Sequence, residues 1–240
     1  MVERVDRVLQ CGYPETVSRR LRRIGFDITS QDVAKTVIAA ALFHDVGKGV
    51  VYYQKQFDDV CGCAMPKGPS FYLHELLSAV YLDRVAKDSP SFSDGMKVLA
   101  TLSVLNHMHA LRDYSNIREY FRPEKTWRPK KIDAILADAY MSPESLERLV
   151  DAIDGYELFE KRAVENALGK KISYQDIHEL ISVIEDEEQT FKGLKLYVLV
   201  LLPLIVGDNL DAYESRRSDR ETASRQHFLS ELKYIWRLGG

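Results

Sequence analysis

The sequence predicts an all-α protein, and three observations support this fold class. Apolar residues recur at helical spacing in successive segments, as at Val33, Val37 and Ala41, which is typical of helices with one face in a core. No segment of useful length alternates apolar and polar residues as a half-buried strand does. A chain of 240 residues with 45% hydrophobic and 29% charged content can also bury a substantial core. We therefore predict a single helical domain over residues 1–240.

The first helical segments lead into the stretch around which the chain is organised. Residues 2–28 are predicted to form one helix or a helix pair. A longer helix follows over residues 33–43. Thr29 and Asp32 are suited to a capping box at its start, and Gly47 is suited to ending it. Side chains at the last turn of this helix leave the core and can meet groups from other helices.

His44 and Asp45 stand at that last turn. Imidazole is a ligand for Mn, Fe, Ni or Zn, and a carboxylate can bind two metal ions at once. An adjacent His–Asp pair thus offers one terminal and one bridging ligand. Because such a pair is more often a surface or capping dipeptide, this interpretation depends on further histidines and aspartates downstream.

Two later segments carry those histidines. Residues 71–86 are predicted to form a helix that bears His74, and residues 96–111 a helix that bears His107 and His109. Two residues spaced by two point about 200° apart on a regular helix. Both can therefore bind one ion only if the helix ends or distorts there. We favour His107 as a ligand, with His109 as a second candidate.

The last third of the chain is also predicted to be helical. Helices are expected over residues 142–168 and 173–191, and an amphipathic one over 220–236. Between them, residues 194–206 are predicted to form a buried core helix, whose apolar run is much shorter than the ~20 residues of a membrane span. Asp208 follows at its end, where a carboxylate is costly to desolvate unless it pairs with a cation or metal.

The charge pattern leaves nucleic-acid binding open. A net charge of −3 argues against a generally basic surface, but arginines cluster in residues 19–23 and 216–225. In residues 114–131, aromatic side chains are interleaved with basic ones, as on surfaces that bind single strands. Solvated arginines and ordinary packing of the aromatic rings are the alternatives.

The sequence around His44 resembles a known family. The stretch HDVGK at residues 44–48 is similar to the signature of the HD superfamily of metal-dependent phosphohydrolases. More narrowly, Tyr53-Gln54 and the stretch HELLSA at residues 74–79 resemble the CRISPR-associated HD nucleases of the "Cas-three" type. The resemblance covers about residues 34–212. It implies an HD-domain helical bundle that binds divalent metal ions.

The resemblance further implies which residues hold those ions. Asp45 would bridge two ions, with His44 and Asp208 on the first and His74 and His107 on the second. Water activated by the ions would attack the phosphodiester. The mixed His and carboxylate set favours Mn, Ni, Fe or Co, with Mg as a further candidate, and one or two ions are expected per chain.

Two positions qualify this assignment. Lys48, one turn past the His–Asp pair, is suited to neutralising charge that develops on the scissile phosphate, and a solvated lysine is the alternative. Family members usually place a first ligating histidine in an upstream helix, but Tyr13 stands there and no histidine precedes His44. Glu15 or a water could substitute. We therefore expect the first ion to bind more weakly than the second.

The function implied by the resemblance is cleavage of single-stranded DNA, and of RNA as a further candidate, in type I CRISPR interference. No Gly-x-x-x-x-Gly-Lys-Ser/Thr phosphate loop is present, so the implied partners are a separate helicase subunit and a guide-RNA surveillance complex. One alternative is an HD enzyme that acts on small nucleotides, as a phosphatase or a cyclic-nucleotide phosphodiesterase. Another is a catalytically impaired subunit that only docks in the interference complex.

The cysteines bear on the cellular compartment. Cys11, Cys61 and Cys63 are few and odd in number, and no secretory signal precedes them. Cys61 and Cys63 lack the second Cys pair that a structural zinc site would need. We therefore expect a cytoplasmic protein with reduced thiols and no membrane association.

Overall fold

The all-α prediction is confirmed. No β-strand occurs within the described part of the chain, where isolated bridges join Val50 to Met141 and Phe57 to Ala64. Helices long and apolar enough to cross a membrane are also absent from that part. A computed structural model describes residues 1–58, 63–64, 69–108, 119–121, 129–190 and 196–215.

The described part of the chain consists mainly of α-helices. Two 3-10 turns, Val46–Gly49 and Glu119–Phe121, lie between them. The α-helices, in chain order, are α1 (Val2–Leu9), α2 (Tyr13–Arg23), α3 (Ser30–Phe43), α4 (Val51–Gln54), α5 (His74–Lys87), α6 (Asp94–Asn106), α7 (Lys130–Ala137), α8 (Pro143–Asp154), α9 (Lys161–Leu168), α10 (Tyr174–Thr190) and α11 (Val198–Ser215).

Helices α3, α5 and α6 form the centre of the bundle. Helix α3 packs against α1, α2, α6 and α11, while α5 packs against α6, α9, α10 and the Val46–Gly49 turn. The predicted capping box starts α3: the Asp32 N–H donates to Thr29 Oγ1 at 3.1 Å, and the Thr29 N–H donates to Asp32 Oδ2 at 3.0 Å. Because α3 and α6 end, and α5 begins, on the same side of the core, their terminal residues meet.

The predicted end of α3 at Phe43 is confirmed, although the 3-10 turn Val46–Gly49, and not Gly47 alone, follows it. Two other predicted helix boundaries are wrong, and both corrections bear on those terminal residues. Helix α5 begins at His74, because the preceding Leu73 adopts a left-handed backbone with φ of 69° that cannot continue a helix. Helix α6 ends at Asn106, short of the predicted residue 111.

Two predictions in the last third also require correction. Residues 142–168 form two helices, α8 and α9, because the chain turns between them, with Glu157 at a left-handed φ of 51°. The core helix does not end at residue 206, since α11 continues to Ser215 and contains Asp208. The predicted start of α10 is confirmed, because Ser173 Oγ accepts the Asp176 N–H at 3.3 Å.

Several predictions fall on other parts of the chain. The helix over 220–236, the arginines of 216–225 and most of residues 114–131 lie outside the described residues. Phe121, a member of the aromatic set, is 1% exposed, so it packs in the core instead of presenting a stacking surface. The expectation of reduced thiols holds for Cys11, which is a free cysteine, but is wrong for Cys63, which is disulfide-bonded.

Candidate metal centre

Two groups of potential metal ligands share one carboxylate where the ends of α3, α5 and α6 meet. The histidine-rich group consists of Asp45, His74 and His107, and the carboxylate-rich group consists of His44, Asp45 and Asp208. Within each group, one ligand atom per residue lies within 4.8 Å of the others. The five residues span most of the sequence, so only the fold brings them together.

The two carboxylate oxygens of Asp45 point to different groups. Oδ1 lies 3.1 Å from His74 Nε2 and 3.7 Å from His107 Nε2. Oδ2 lies 3.3 Å from His44 Nε2, and His44 Nε2 in turn lies 3.8 Å from Asp208 Oδ1. This is the arrangement expected of a carboxylate that binds one ion on each side.

A close contact between the Val46–Gly49 turn and α5 places Asp45 against His74. The Gly47 N–H donates to the buried Ser78 Oγ at 2.8 Å. A Cβ at Gly47 would lie 2.3 Å from the His74 carbonyl oxygen and 2.8 Å from the Ser78 nitrogen. Only glycine allows this approach, so the glycine after the His–Asp pair and the serine of the HELLSA stretch serve one packing contact.

All three histidines are held in the same way. Nδ1 of each ring lies close to the carbonyl oxygen three residues earlier: 2.9 Å for His44, 2.7 Å for His74 and 2.6 Å for His107. Because a carbonyl only accepts, each Nδ1 carries a hydrogen and donates it. Each ring therefore presents Nε2 to Asp45, and the carbonyl fixes both the tautomer and the ring orientation, as for ligating histidines.

The donor set fits a divalent metal ion. Nε2 of His74 and Nε2 of His107 lie 3.2 Å apart and both face Asp45 Oδ1. With hydrogens on both Nδ1 atoms, neutral rings would bring two lone pairs and an anionic oxygen together. Such a cluster requires a proton or a cation among these atoms. Two imidazoles and a carboxylate are ligands for Mn, Fe, Co, Ni or Zn.

The charges of the carboxylate-rich group are strongly coupled. Burial lowers the pKa of His44, but the carboxylates of Asp208 and Asp45 outweigh burial and raise it to about 9. Burial raises the pKa of Asp45, but the imidazoles of His107, His44 and His74 hold it far below its usual range. The pKa of Asp208 is lowered by His44, against burial. At neutral pH, His44 thus keeps a proton on Nε2 that a metal ion must displace.

Lys48 lies beside the shared carboxylate. Its Nζ donates to Asp45 Oδ2 at 2.7 Å and lies 5.3 Å from the centroid of the Phe71 ring. The Lys48 side chain is 33% exposed. Lys48 is therefore a paired, partly buried cation, which contradicts the alternative of a freely solvated lysine.

Tyr13 stands where the family resemblance expects a histidine, and its side chain connects two helices. Its hydroxyl donates to the Leu199 carbonyl at 2.5 Å, joining α2 to the start of α11, and burial raises its pKa to about 12. Glu15 is exposed and belongs to neither ligand group among the described residues. His109, the second candidate beside His107, lies outside the described residues.

Sequence reasoning missed several supporting contacts. Glu75 is 2% exposed and its Oε2 lies 3.2 Å from His74 Nδ1. The Tyr53 hydroxyl donates to the Tyr72 carbonyl just before α5, and Gln54 Nε2 donates to the Lys48 carbonyl at 2.8 Å. Tyr53 and Gln54, which carry part of the family resemblance in the sequence, thus support the segments on either side of the metal centre.

Comparison with known proteins agrees with this geometry. The model of the HD domain family matches residues 14–158. The chain is 28% identical over 235 residues to the CRISPR-associated endonuclease Cas3-HD of Saccharolobus solfataricus. The aligned residues cover 95% of this chain and 88% of the relative. These findings confirm the resemblance drawn from the motifs at residues 44–54 and 74–79. The chain belongs to the HD domain family.

Proposed function

We propose that the chain is a metal-dependent nuclease that hydrolyses phosphodiester bonds of single-stranded DNA in CRISPR interference. The observation that carries this proposal is that the two oxygens of Asp45 face two separate donor groups. A carboxylate so placed is suited to lie between two divalent ions. Similarity along 95% of the chain to a relative named as an endonuclease supports a polynucleotide as the substrate.

In this proposal, each ligand group holds one divalent ion. Mn, Ni, Fe or Co suit the mixed His and carboxylate donors, and Mg is a further candidate. When bound, such ions activate water and stabilise negative charge at the scissile phosphate. The residues of the chain position the ligand groups and balance their charge. Asp45 belongs to both groups, and Lys48 supplies a positive charge beside Asp45.

The direct test is incubation of the protein with Mn²⁺, Ni²⁺ or Mg²⁺ and one of two substrate sets. One set is labelled single-stranded DNA and RNA, and the other is a panel of nucleotides and cyclic nucleotides. We expect cleavage of single-stranded DNA with Mn²⁺ or Ni²⁺ and none with EDTA. The variant Asp45→Asn, which keeps the side-chain size, should lose cleavage while circular dichroism shows a folded protein.

Two outcomes would contradict this function. Turnover of nucleotides without cleavage of single strands would indicate a nucleotide phosphohydrolase. A wild-type protein with no turnover under any metal, whose assembly into an interference complex is unchanged by Asp45→Ala, would indicate a catalytically impaired subunit. The Tyr13–Leu199 contact, in place of a family ligand, is the feature that makes the second outcome worth testing.

We also propose that this protein works in the cytoplasm with a separate helicase subunit and a guide-RNA surveillance complex. The name of the Saccharolobus relative, which places that protein in a CRISPR system, supports this. Residues 1–240 are proposed to act as one HD-type domain, since Asp208 lies beyond the matched residues 14–158 on a helix that packs against α1, α3 and α6.

A further inference from the structure

An aromatic ring with a lysine beside it lies next to the metal centre. The centroid of the Phe71 ring is 6.4 Å from that of His74, at an interplanar angle of 75°. Lys48 Nζ lies 5.3 Å from the Phe71 centroid while it donates to Asp45. Phe71 is half-buried. One side of the metal centre is thus bounded by an apolar ring and a cation together.

The next residue in the chain, Tyr72, also has a lysine beside its ring. Lys131 Nζ lies 4.9 Å from the centroid of the half-buried Tyr72 ring and donates to Ser70 Oγ at 3.3 Å. Lys131 itself is exposed. It belongs to the interleaved aromatic and basic stretch 114–131, and the fold brings it to an aromatic ring from another part of the sequence. Because Lys131 is exposed and Tyr72 is only half-buried, the contact between the ammonium group and the ring lies at the protein surface.

The segment that carries both rings is held rigid. Gln56 makes two hydrogen bonds with the backbone of Ser70: its Nε2 donates to the carbonyl at 3.1 Å, and its Oε1 accepts the N–H at 2.7 Å. The Tyr53 hydroxyl donates to the Tyr72 carbonyl. Leu73 then turns the chain with its left-handed φ of 69°. A surface fixed before a ligand arrives loses little conformational entropy on binding.

Rings and lysines at this spacing suit one class of ligand. Single-stranded nucleic acids are bound by aromatic rings on which bases stack and by cations that meet the phosphates. Resting on the proposed nuclease function, we propose that Tyr72 and Lys131 form a platform that guides single-stranded polynucleotide to the metal centre. A base stacks on Tyr72, Lys131 moves from the ring to a phosphate, and the strand continues past Phe71 and Lys48 to Asp45.

The first test measures stacking on Tyr72 without cleavage. Fluorescence anisotropy with a labelled oligothymidine or oligouridine, in EDTA and at low salt, gives the affinity. Tyr72→Leu keeps an apolar side chain and the backbone bond to Tyr53, and should weaken binding by about 5- to 100-fold. Tyr156→Leu removes an aromatic residue that is 44% exposed elsewhere on the surface, and should bind as wild type does.

The second test measures the phosphate contact of Lys131. The logarithm of affinity for a single strand falls with the logarithm of salt concentration by about 0.7 per phosphate contact. Lys131→Ala should therefore reduce the salt slope by about 0.7, while Tyr72→Leu should leave it unchanged. Lys161→Ala removes a lysine that is 47% exposed and pairs with Asp151, and should not alter the slope.

The outcomes separate this inference from the proposed function. Wild-type affinity and salt slope in both Tyr72→Leu and Lys131→Ala would overturn the platform, even if the protein cleaves single strands with Mn²⁺. Equal affinity for a duplex of the same length would also overturn it, because paired bases cannot stack on the ring. A wild-type protein that binds through Tyr72 but hydrolyses neither single strands nor bis(p-nitrophenyl) phosphate would overturn the nuclease proposal instead.

Discussion

The two ligand groups around Asp45 differ in how the fold supports them. In the histidine-rich group, His74 and His107 are 2% and 4% exposed and lie at the start of α5 and just after the end of α6. In the carboxylate-rich group, Asp208 is 47% exposed and lies within α11. The first group is therefore part of the core, whereas the second depends on a helix laid against the core.

The groups also differ in charge. The histidine-rich group offers two imidazoles and one carboxylate, and the carboxylate-rich group offers one imidazole and two carboxylates. The second group stabilises a proton on His44, whose pKa is raised to about 9. At neutral pH, a metal ion entering that group competes with this proton. This competition is a physical reason to expect weaker ion binding at the carboxylate-rich group. The missing upstream histidine is a second reason.

The largest effect should come from the residue that the groups share. Asp45→Asn removes the charge that both groups use, so neither group should hold an ion tightly. Cleavage of single-stranded DNA should fall by more than about 100-fold, beyond the range typical of residues that only support a ligand. Metal content by mass spectrometry of the purified protein gives a second measurement. Retention of one tightly bound ion would show that the groups are independent of Asp45.

Single-group variants should then separate the two groups. His107→Gln should leave no tightly bound ion, whereas Asp208→Asn should leave one, held by the histidine-rich group. We expect affinity at the altered group to fall at least 10- to 100-fold. Calorimetric titration with Mn²⁺ at pH 7 measures both sites. Equal losses in the two variants would contradict the comparison.

The dependence of metal binding on pH should differ between the groups. Below about pH 9, the affinity of the carboxylate-rich group should rise about tenfold per pH unit, because each ion releases one proton from His44. Without metal, the raised pKa of His44 stabilises the fold fully below about pH 6.5, and this contribution is lost as the pH rises through about 9. Melting curves in EDTA at pH 6.5, 8 and 9.5 check this sign.

The control for this dependence is His44→Gln, which removes the titrating ring. Its metal-free melting temperature should not show the wild-type decline between pH 6.5 and 9.5 that is attributed to His44. A decline of the same size in His44→Gln would assign the titration to another group.

The smallest effects should arise at the contact that supports the histidine-rich group. Ser78→Ala leaves the buried Gly47 N–H without its acceptor and should cost about 1–3 kcal/mol. Ser89→Ala is the control, because that buried hydroxyl, two residues past the end of α5, donates to the Val85 carbonyl in the last turn of the same helix. Thermal unfolding measures both. A larger loss in Ser89→Ala would contradict a special role for the Ser78 contact.

Glycine variants test the same contact by adding volume. Gly47→Ala would bring a Cβ within 2.3 Å of the His74 carbonyl, a backbone atom that cannot turn away, so we expect a loss of at least about 2 kcal/mol. Gly49→Ala, in the same turn, meets the flexible end of Leu149 at 3.0 Å and should be tolerated better. Binding at the histidine-rich group should weaken only in Gly47→Ala.

Part of this structure could be predicted from the sequence. Periodicity and the Thr29–Asp32 capping box are local features, and they predicted α3 correctly. The ligand grouping was implied by the family resemblance. The five expected ligands that lie in the described part of the chain do come together around Asp45. The boundaries of α5 and α11 could not be predicted, because Leu73 adopts a left-handed backbone and Asp208 stays helical through contacts with distant segments. The Tyr72–Lys131 contact joins separate segments and leaves no local pattern.

The meeting of helix ends has an electrostatic consequence for the metal centre. Helices α3 and α6 direct their carboxyl ends toward it, and α5 directs its amino end there. Aligned peptide dipoles place about half a negative charge at each carboxyl end and about half a positive charge at an amino end. The backbone alone therefore creates a potential that attracts cations, so residual weak ion binding should persist after any one ligand side chain is removed.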